Sequence, residues 1–243
     1  MINNILILAA GRGERLGPLT ETCPKPLLPI DINGMTILDR LINQLRRRFP
    51  SIPIHINISY LAQNLLEHFA KKSIDFRPFF LYENERMGPA GTLVEFSKLI
   101  SGDILVVNGD LVLSEFELDN LSKVLIDKEP QVFVSHTRNI ANARSVISFR
   151  NEKVINVTEK KISDAFQAID YSSDIEVQVL SGIYKLNTQA LRKYVYTKGE
   201  PLSPNLLNYS IKKQQTNLYR WNDWRISIDS IGNLEEARKK LAI

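Results

Sequence analysis

No stretch of this 243-residue chain is apolar for long enough to cross a bilayer, and no low-complexity tract, internal repeat or block of like charge interrupts it. A membrane span and a membrane partner are therefore not expected. The first apolar run, Ile5 to Ala10, is too short for an export signal and passes straight into Gly11, Arg12 and Gly13, so the chain reads as cytoplasmic. There is one cysteine, Cys23, which excludes an intrachain disulfide and agrees with a reducing compartment. Histidine is also scarce. His55, His68 and His136 stand apart from the glycine and lysine motifs, and no Ser/His/Asp or Cys/His grouping points to a covalent nucleophile. A net charge of +4 favours anionic partners mildly, but the charges are dispersed, so nucleic acid is not an expected partner. The one local cluster, Arg46 to Arg48, closes a predicted helix and reads as a solvated helix end.

What is present is the rhythm of an α/β protein. Short runs rich in Ile, Val and Phe alternate with helix-patterned segments, as in a sheet built largely from parallel strands with crossover helices. Strands are predicted at 4–9, 54–58, 79–83 and 104–108, with helices at 37–49 and 62–72. From about Gln131 the pattern changes to strands at 131–137, 145–150, 153–158 and 176–186, an antiparallel extension. Helices return at 188–195, around 204–213 and at 234–241, the last after a strand at 225–229. The length suits one domain over 1–243 that carries an elaboration. Nothing in the pattern sets an oligomeric state.

The first strand ends in Leu8-Ala9-Ala10-Gly11-Arg12-Gly13-Glu14-Arg15-Leu16, at the carboxyl edge where open α/β sheets bind ligands. Glycines there let backbone N–H groups approach anionic oxygens, and Arg12 and Arg15 add charged donors. The same pattern also marks a plain tight turn. Leu16 occupies the third small position of the dinucleotide fingerprint, and no Gly-Lys-Ser/Thr closes a P-loop. Next, Pro24-Lys25-Pro26-Leu27-Leu28-Pro29 sets one lysine between prolines that stiffen its backbone. A lysine held opposite a phosphate loop suits an anionic transition state; the alternative is a solvated proline-rich loop.

Leu8-Ala9-Ala10-Gly11-x-Gly13-x-Arg15-Leu16, Pro18-Leu19-Thr20 and Pro24-Lys25-Pro26-Leu27-Leu28-Pro29 together resemble the N-terminal signature of the sugar-1-phosphate nucleotidyltransferases. The resemblance implies a Rossmann-like, mostly parallel central sheet flanked by helices, with a smaller antiparallel extension that binds the second substrate. It divides the chain into a nucleotide-binding half, about 1–130, and an acceptor-binding half, about 131–243, that carries a second metal ligand. It implies that Arg15 and Lys25 lie on the phosphates of a nucleoside triphosphate, and that Leu8 to Gly13 hold the nucleotide. The partners it implies are that triphosphate and a small phosphorylated acceptor, a sugar 1-phosphate.

Asp110 follows the predicted strand 104–108 and Gly109, so a carboxylate emerges at the strand end where the phosphate loop should lie. Mg²⁺ takes few protein carboxylates and fills its octahedron with water and phosphate, which such a placement permits; a turn aspartate is the alternative. The resemblance makes Asp110 one metal ligand and Asp229, in Ile228-Asp229-Ser230, the second. Many of the sugar enzymes carry Asp-x-Gly-Thr at the latter place. Ile-Asp-Ser followed by Leu234-Glu235-Glu236-Ala237 is similar to cytidylyltransferases acting on phosphocholine, which keeps that acceptor open.

Met87-Gly88-Pro89-Ala90-Gly91-Thr92 is similar to the family segment that packs on base and ribose, with Gly88, Ala90 and Gly91 as contacts and Pro89 in place of the usual Thr. Val157-Thr158-Glu159-Lys160 and Leu180-Ser181-Gly182-Ile183-Tyr184 resemble the two sugar-contacting segments. They imply Glu159 on hydroxyls, Lys160 on the sugar phosphate, and room for the ring at Ser181 and Gly182. The bland readings are an exposed Glu-Lys pair and a strand glycine. A phosphocholine acceptor would instead want aromatics such as Tyr171, Tyr184, Trp221 or Trp224 around its cation.

A phosphomonoester is mostly a dianion near neutral pH, its second pKa being about 6, and attacks an α-phosphorus without a general base. The expected reaction is therefore nucleotidyl transfer with release of pyrophosphate, supported by Mg²⁺, Arg15, Lys25 and Asp110. A catalytically silent nucleotide-binding module is the reading from another class. A nicotinamide oxidoreductase ranks below both.

Overall fold

The structure is a computed structural model that describes residues 2–73, 77–126, 131–136, 145–159 and 174–242. In chain order the elements are β1 (Ile2–Leu8), α1 (Ile37–Arg48), β2 (Ile54–Ile58), α2 (Ala62–Ala70), β3 (Phe79–Tyr82), α3 (Gly88–Leu99), β4 (Asp103–Asn108), β5 (Leu111–Leu113) and α4 (Glu115–Ile126). They continue with β6 (Val132–His136), β7 (Ser145–Arg150), β8 (Lys153–Glu159), β9 (Glu176–Asn187), α5 (Thr188–Leu191), α6 (Leu207–Lys213), β10 (Asn217–Trp221), β11 (Arg225–Ser227) and α7 (Ile231–Leu241). The chain forms two compact units: residues 4–86, 107–119 and 223–243 make the first, and residues 1–3, 87–106 and 120–222 the second.

In the first unit β3, β2 and β1 lie side by side and parallel, with Ile5 opposite Ile54 and Ile56 opposite Phe80. Ile5, Leu6 and Ile7 are all fully buried, which is what a parallel strand covered on both faces requires of consecutive residues. Helix α1 starts where the Thr36 hydroxyl accepts from the Asp39 amide at 3.0 Å, and it buries Ile37, Leu38, Leu41, Ile42 and Leu45 along one face. A second cluster joins Leu16, Leu28, Ile30, Val112, Ile226, Ile228, Leu234 and Ala237. Its strands β5 and β11 pair antiparallel, and α7 begins at Ser230, whose Oγ accepts from the Asn233 amide.

Of Arg46 to Arg48, read as a solvated helix end, Arg47 is exposed but Arg48 is not. Arg48, with only 8% of its side chain exposed, donates to Glu115 Oε2 at 2.8 Å and reaches Asp119 at 2.7 Å, while Arg47 meets Glu115 Oε1 at 2.7 Å. Planar guanidinium groups serve this better than ammonium groups, because their fork matches paired carboxylates at the start of α4.

The second unit is built on β4, β9, β6, β10, β8 and β7 in that order, and β9 also pairs β7. Strands β6 and β10 run parallel, while β6–β9, β7–β8, β7–β9 and β8–β10 are antiparallel, so the sheet is mixed rather than purely parallel, with the antiparallel pairs in the predicted extension. Between Phe133 and Ser135 the β9 partner moves from Tyr184 to Leu180, which is a bulge. Gly182 lies inside it at φ 82°, a conformation that glycine adopts without the steric cost of a Cβ.

Candidate active site

Strand β1 releases the chain into a loop of tight turns. Gly13 has φ 70°, and the Leu16 amide donates back to its carbonyl. Gly17 has φ 55°, and Thr20 Oγ1 donates to the carbonyls of both glycines, at 3.0 and 3.1 Å. The two glycines of the motif have different reasons to lack a side chain. A Cβ on Gly13 would lie 3.0 Å from Thr20 Cγ2 and 3.1 Å from Lys25 Cβ, whereas a Cβ on Gly11 would meet nothing within 4 Å. Gly13 lets the lysine turn pass. Internal packing gives no reason for Gly11, which leaves its open face for a close backbone approach by a ligand.

Lys25 opens a 3₁₀ turn between Pro24 and Pro26, and the Leu27 and Leu28 amides donate to the Pro24 and Lys25 carbonyls. Only 12% of its side chain is exposed. Its ammonium donates to Asp110 Oδ2 at 2.6 Å and to Asp229 Oδ1 at 3.1 Å, and Arg15 Nη2 donates to the same Asp229 oxygen at 2.5 Å. The four residues predicted as phosphate and metal groups therefore form one cluster.

The backbone places the two carboxylates. The Gly109 amide donates to the Leu8 carbonyl at 2.9 Å, and a Cβ on Gly109 would come within 2.8 Å of that oxygen, so only glycine brings the exit of β4 this close to the exit of β1. Asp110 follows, and its carbonyl accepts from the Ile228 amide at 2.9 Å, which aligns the chain leading to Asp229. Ser227 Oγ donates to Asp229 Oδ2 at 3.3 Å, and the Asn233 side chain accepts from the Asp229 amide at the start of α7. Asp110 Oδ1 is buried and has no hydrogen-bond partner among the described residues. Arg12 stacks over the Tyr60 ring at 5.6 Å, and Tyr60 Oη donates to the Thr20 carbonyl at 3.0 Å.

The remaining predicted residues lie in the second unit. Ala90 is fully buried and its amide donates to the Glu200 carbonyl. A Cβ on Gly88 would fall 2.5 Å from the Gly199 carbonyl carbon, and one on Gly91 would fall 2.6 Å from the Tyr196 ring. Packing against residues 196–200 thus explains both glycines without a ligand. Glu159 ends β8 and accepts from Ser145 Oγ at 3.4 Å; Ser181 is buried in β9, and Gly182 sits in the bulge. Lys160 and Tyr171 lie outside the described residues. Tyr184 and Trp221 are buried, and Trp224 packs on the cluster around Ile226, so these three aromatics serve the core.

Two groups at this edge were not anticipated. Asn57, on β2, accepts from the Ala9 amide at 2.7 Å and donates to Glu83 Oε1 at 2.8 Å. The signal was available: a polar residue inside the strand Ile-His-Ile-Asn-Ile, three residues before the strand-exit tyrosine Tyr60. No group of three or more His, Cys, Asp or Glu forms a metal cluster among the described residues, and no helix among them is long and apolar enough to cross a membrane.

A sequence profile of nucleotidyl transferases matches residues 4–225. The chain belongs to that family. Among its relatives are the bifunctional protein GlmU of Methanococcus vannielii, 30% identical over 182 residues, and the UTP–glucose-1-phosphate uridylyltransferase of Synechocystis, 24% identical over 243. These alignments cover 74% and 90% of this chain, but 40% and 59% of the relatives. The chain thus spans about two-fifths of the length of the archaeal protein. Two solved structures share the fold: UDP-glucose pyrophosphorylase complexed with UDP-glucose, with a TM-score of 0.77 at 17% identity, and HddC from Yersinia pseudotuberculosis complexed with GMP-PN, with 0.74 at 20%. Each alignment covers 99% or more of both chains. The family inferred from the N-terminal signature and the α/β fold class inferred from the alternation of strands and helices are both borne out.

Proposed function

We propose that the chain transfers a nucleoside monophosphate from a triphosphate to a sugar 1-phosphate, giving a nucleoside diphosphate sugar and pyrophosphate. The observation that carries this reading is the meeting of Lys25, Arg15, Asp110 and Asp229 beside a loop whose Gly11 faces open space. In the reaction a phosphate oxygen of the acceptor bonds to the α-phosphorus. The bond from that phosphorus to the bridging oxygen breaks, and its electron pair leaves with pyrophosphate. No proton need move, since the acceptor is already ionised.

This chain's own groups hold two mutually repelling anions in line and neutralise charge as it moves. Amides from Ala10 to Gly13, which follow the Ala9 amide held by Asn57, cradle the phosphates, with Arg12, Arg15 and Lys25 as charged donors. Lys25 enters the reaction already placed, because two prolines and two carboxylates hold it. For the acceptor, Glu159 is proposed for the sugar hydroxyls, Lys160 for its phosphate, and Ser181 and Gly182 for the side of the ring.

Asp110 and Asp229 fit a divalent ion: Asp110 Oδ1 is a buried acceptor with no partner among the described residues, and two carboxylates leave coordination places for water and phosphate. Bound there, Mg²⁺ would supply charge neutralisation of the triphosphate. Release of pyrophosphate by purified protein with Mg²⁺, each common nucleoside triphosphate, and a panel of sugar 1-phosphates plus phosphocholine tests the reading. Release that depends on a sugar 1-phosphate supports it. Dependence on phosphocholine alone would replace the acceptor class, and nucleotide binding without release would favour a silent module.

A further inference from the structure

We infer that Asn57 and Glu83 are positioning residues for the glycine-rich loop, acting on the bound triphosphate through the backbone amide of Ala9. In its functional half this inference rests on the nucleotidyl-transfer reading. The parallel ladder between β1 and β2 ends with Leu8 opposite Asn57. Ala9, one residue further, keeps its N–H pointed at β2, where the Asn57 side chain accepts it at 2.7 Å and extends the ladder by one rung. The orientation of that amide is not free. Glu83 Oε1 lies 2.8 Å from Asn57 Nδ2, and a carboxylate oxygen only accepts, so Nδ2 must face Glu83 and Oδ1 must face Ala9. Glu83 is held in turn by its own amide, which donates to the Ile58 carbonyl at 2.9 Å.

Both residues are 4% exposed, and Asn57 stands between the buried Ile56 and Ile58. Stability alone does not account for them. Replacing a buried hydrogen-bonded pair by apolar groups of like shape is often neutral or favourable, so a carboxylate and an amide buried here need another reason. That reason is where the rung ends: at the last residue that continues the β1 ladder, just before Ala10 and the open face of Gly11. A fixed Ala9 amide sets the direction of the amides that follow, and hence the donors offered to phosphate.

The test uses the full chain and three variants, Asn57→Leu, Glu83→Leu and Glu83→Gln. The first readout needs no ligand: amide hydrogen exchange over residues 9–13, with melting curves as the control for folding. Asn57→Leu and Glu83→Leu should speed exchange there about tenfold, the loss of one hydrogen bond's worth of local order, while Glu83→Gln, which keeps an oxygen for Asn57, stays close to wild type. In the second readout, KM for the triphosphate should rise about tenfold in the two leucine variants, with KM for the acceptor within about twofold. Unchanged exchange in folded leucine variants, or equal rises in both KM values, would overturn the inference. Should the wild type transfer to no acceptor, the nucleotidyl-transfer reading fails separately. The inference is then judged on exchange and on calorimetric titration with the triphosphate, where an affinity unaltered in the leucine variants overturns it.

Discussion

Lys25 Nζ lies 2.6 Å from Asp110 Oδ2, so the lysine of the proline-rich turn is locked to the carboxylate at the exit of β4. Asp229 joins them through a second contact of the same ammonium at 3.1 Å and also accepts from Arg15, so two cations face two carboxylates. Loss of either sign would leave the opposite charge of the cluster without its partner.

Lys25→Gln is expected to lower turnover by about 10²–10³-fold, the usual cost of losing one preorganised donor to a developing charge. The folded state should survive, since the turn is set by Pro24 and Pro26 rather than by the ammonium. Steady-state pyrophosphate release together with a melting curve checks both parts. Near-wild-type turnover in the folded variant would remove Lys25 from the mechanism.

Chelation should abolish transfer, and added Mg²⁺ should restore it. Asp110→Asn removes the charge but keeps the size of the side chain whose Oδ1 is a buried acceptor without a partner among the described residues. It should need at least about tenfold more Mg²⁺ for half-maximal rate. An unaltered Mg²⁺ requirement at reduced rate would place the metal elsewhere and leave Asp110 as the anchor of Lys25.

The two motif glycines should respond differently to one methyl group. At Gly13 the positive φ and the close approaches of Thr20 and Lys25 mean that Gly13→Ala costs about 1–2 kcal/mol of stability and displaces the lysine. At Gly11 there is room, so Gly11→Ala should leave stability within about 0.5 kcal/mol while weakening triphosphate binding. Urea midpoints and nucleotide titrations of both variants separate the cases. A large loss of stability in Gly11→Ala would mean that the loop is only a turn.

How much of this was legible before the structure depended on range in sequence. Strands β2 and β7 lie at the predicted 54–58 and 145–150, because each sets Ile, Val or Phe among polar residues between clear ends. The cluster's members were also readable one at a time, as a lysine between prolines and aspartates after strands. Their meeting was not, since the contact between Lys25 and Asp229 depends on the pairing of β5 with β11, two strands of three residues each. Helix α4 and strand β10 were missed for similar reasons. Three acidic residues open the helix among its apolar positions, and Asn-Leu-Tyr-Arg-Trp follows no simple alternation. The antiparallel half is held by strand partners distant in sequence, such as Val132 with Lys185, which no local window reveals. Arg48 was misread because a helix-end arginine looks solvated until its partners Glu115 and Asp119 are known.

Acid should weaken the first unit through Asp39, in a direction that the local charges decide. The carboxylate is 5% exposed; His68 Nε2 lies 2.9 Å from Oδ1, and Lys72 reaches it at 3.3 Å. Burial by itself pushes this acid upward. The hydrogen bond and charge of His68, the charge of Lys72 and the Thr36 hydroxyl outweigh burial and hold it below its ordinary value. A carboxyl whose pKa is lower folded than unfolded stabilises the fold fully above its unfolded value, about 4, and loses that contribution as pH falls through the lower, folded value. Asp39→Asn should therefore cost about 1–3 kcal/mol between about pH 5 and 6, and the gap to wild type should narrow steadily below about pH 4. Urea denaturation of both proteins at intervals from pH 6 to pH 3 measures that gap. One that stays constant down to pH 3 would mean that packing or the α1 cap, rather than the charge of Asp39, accounts for the loss.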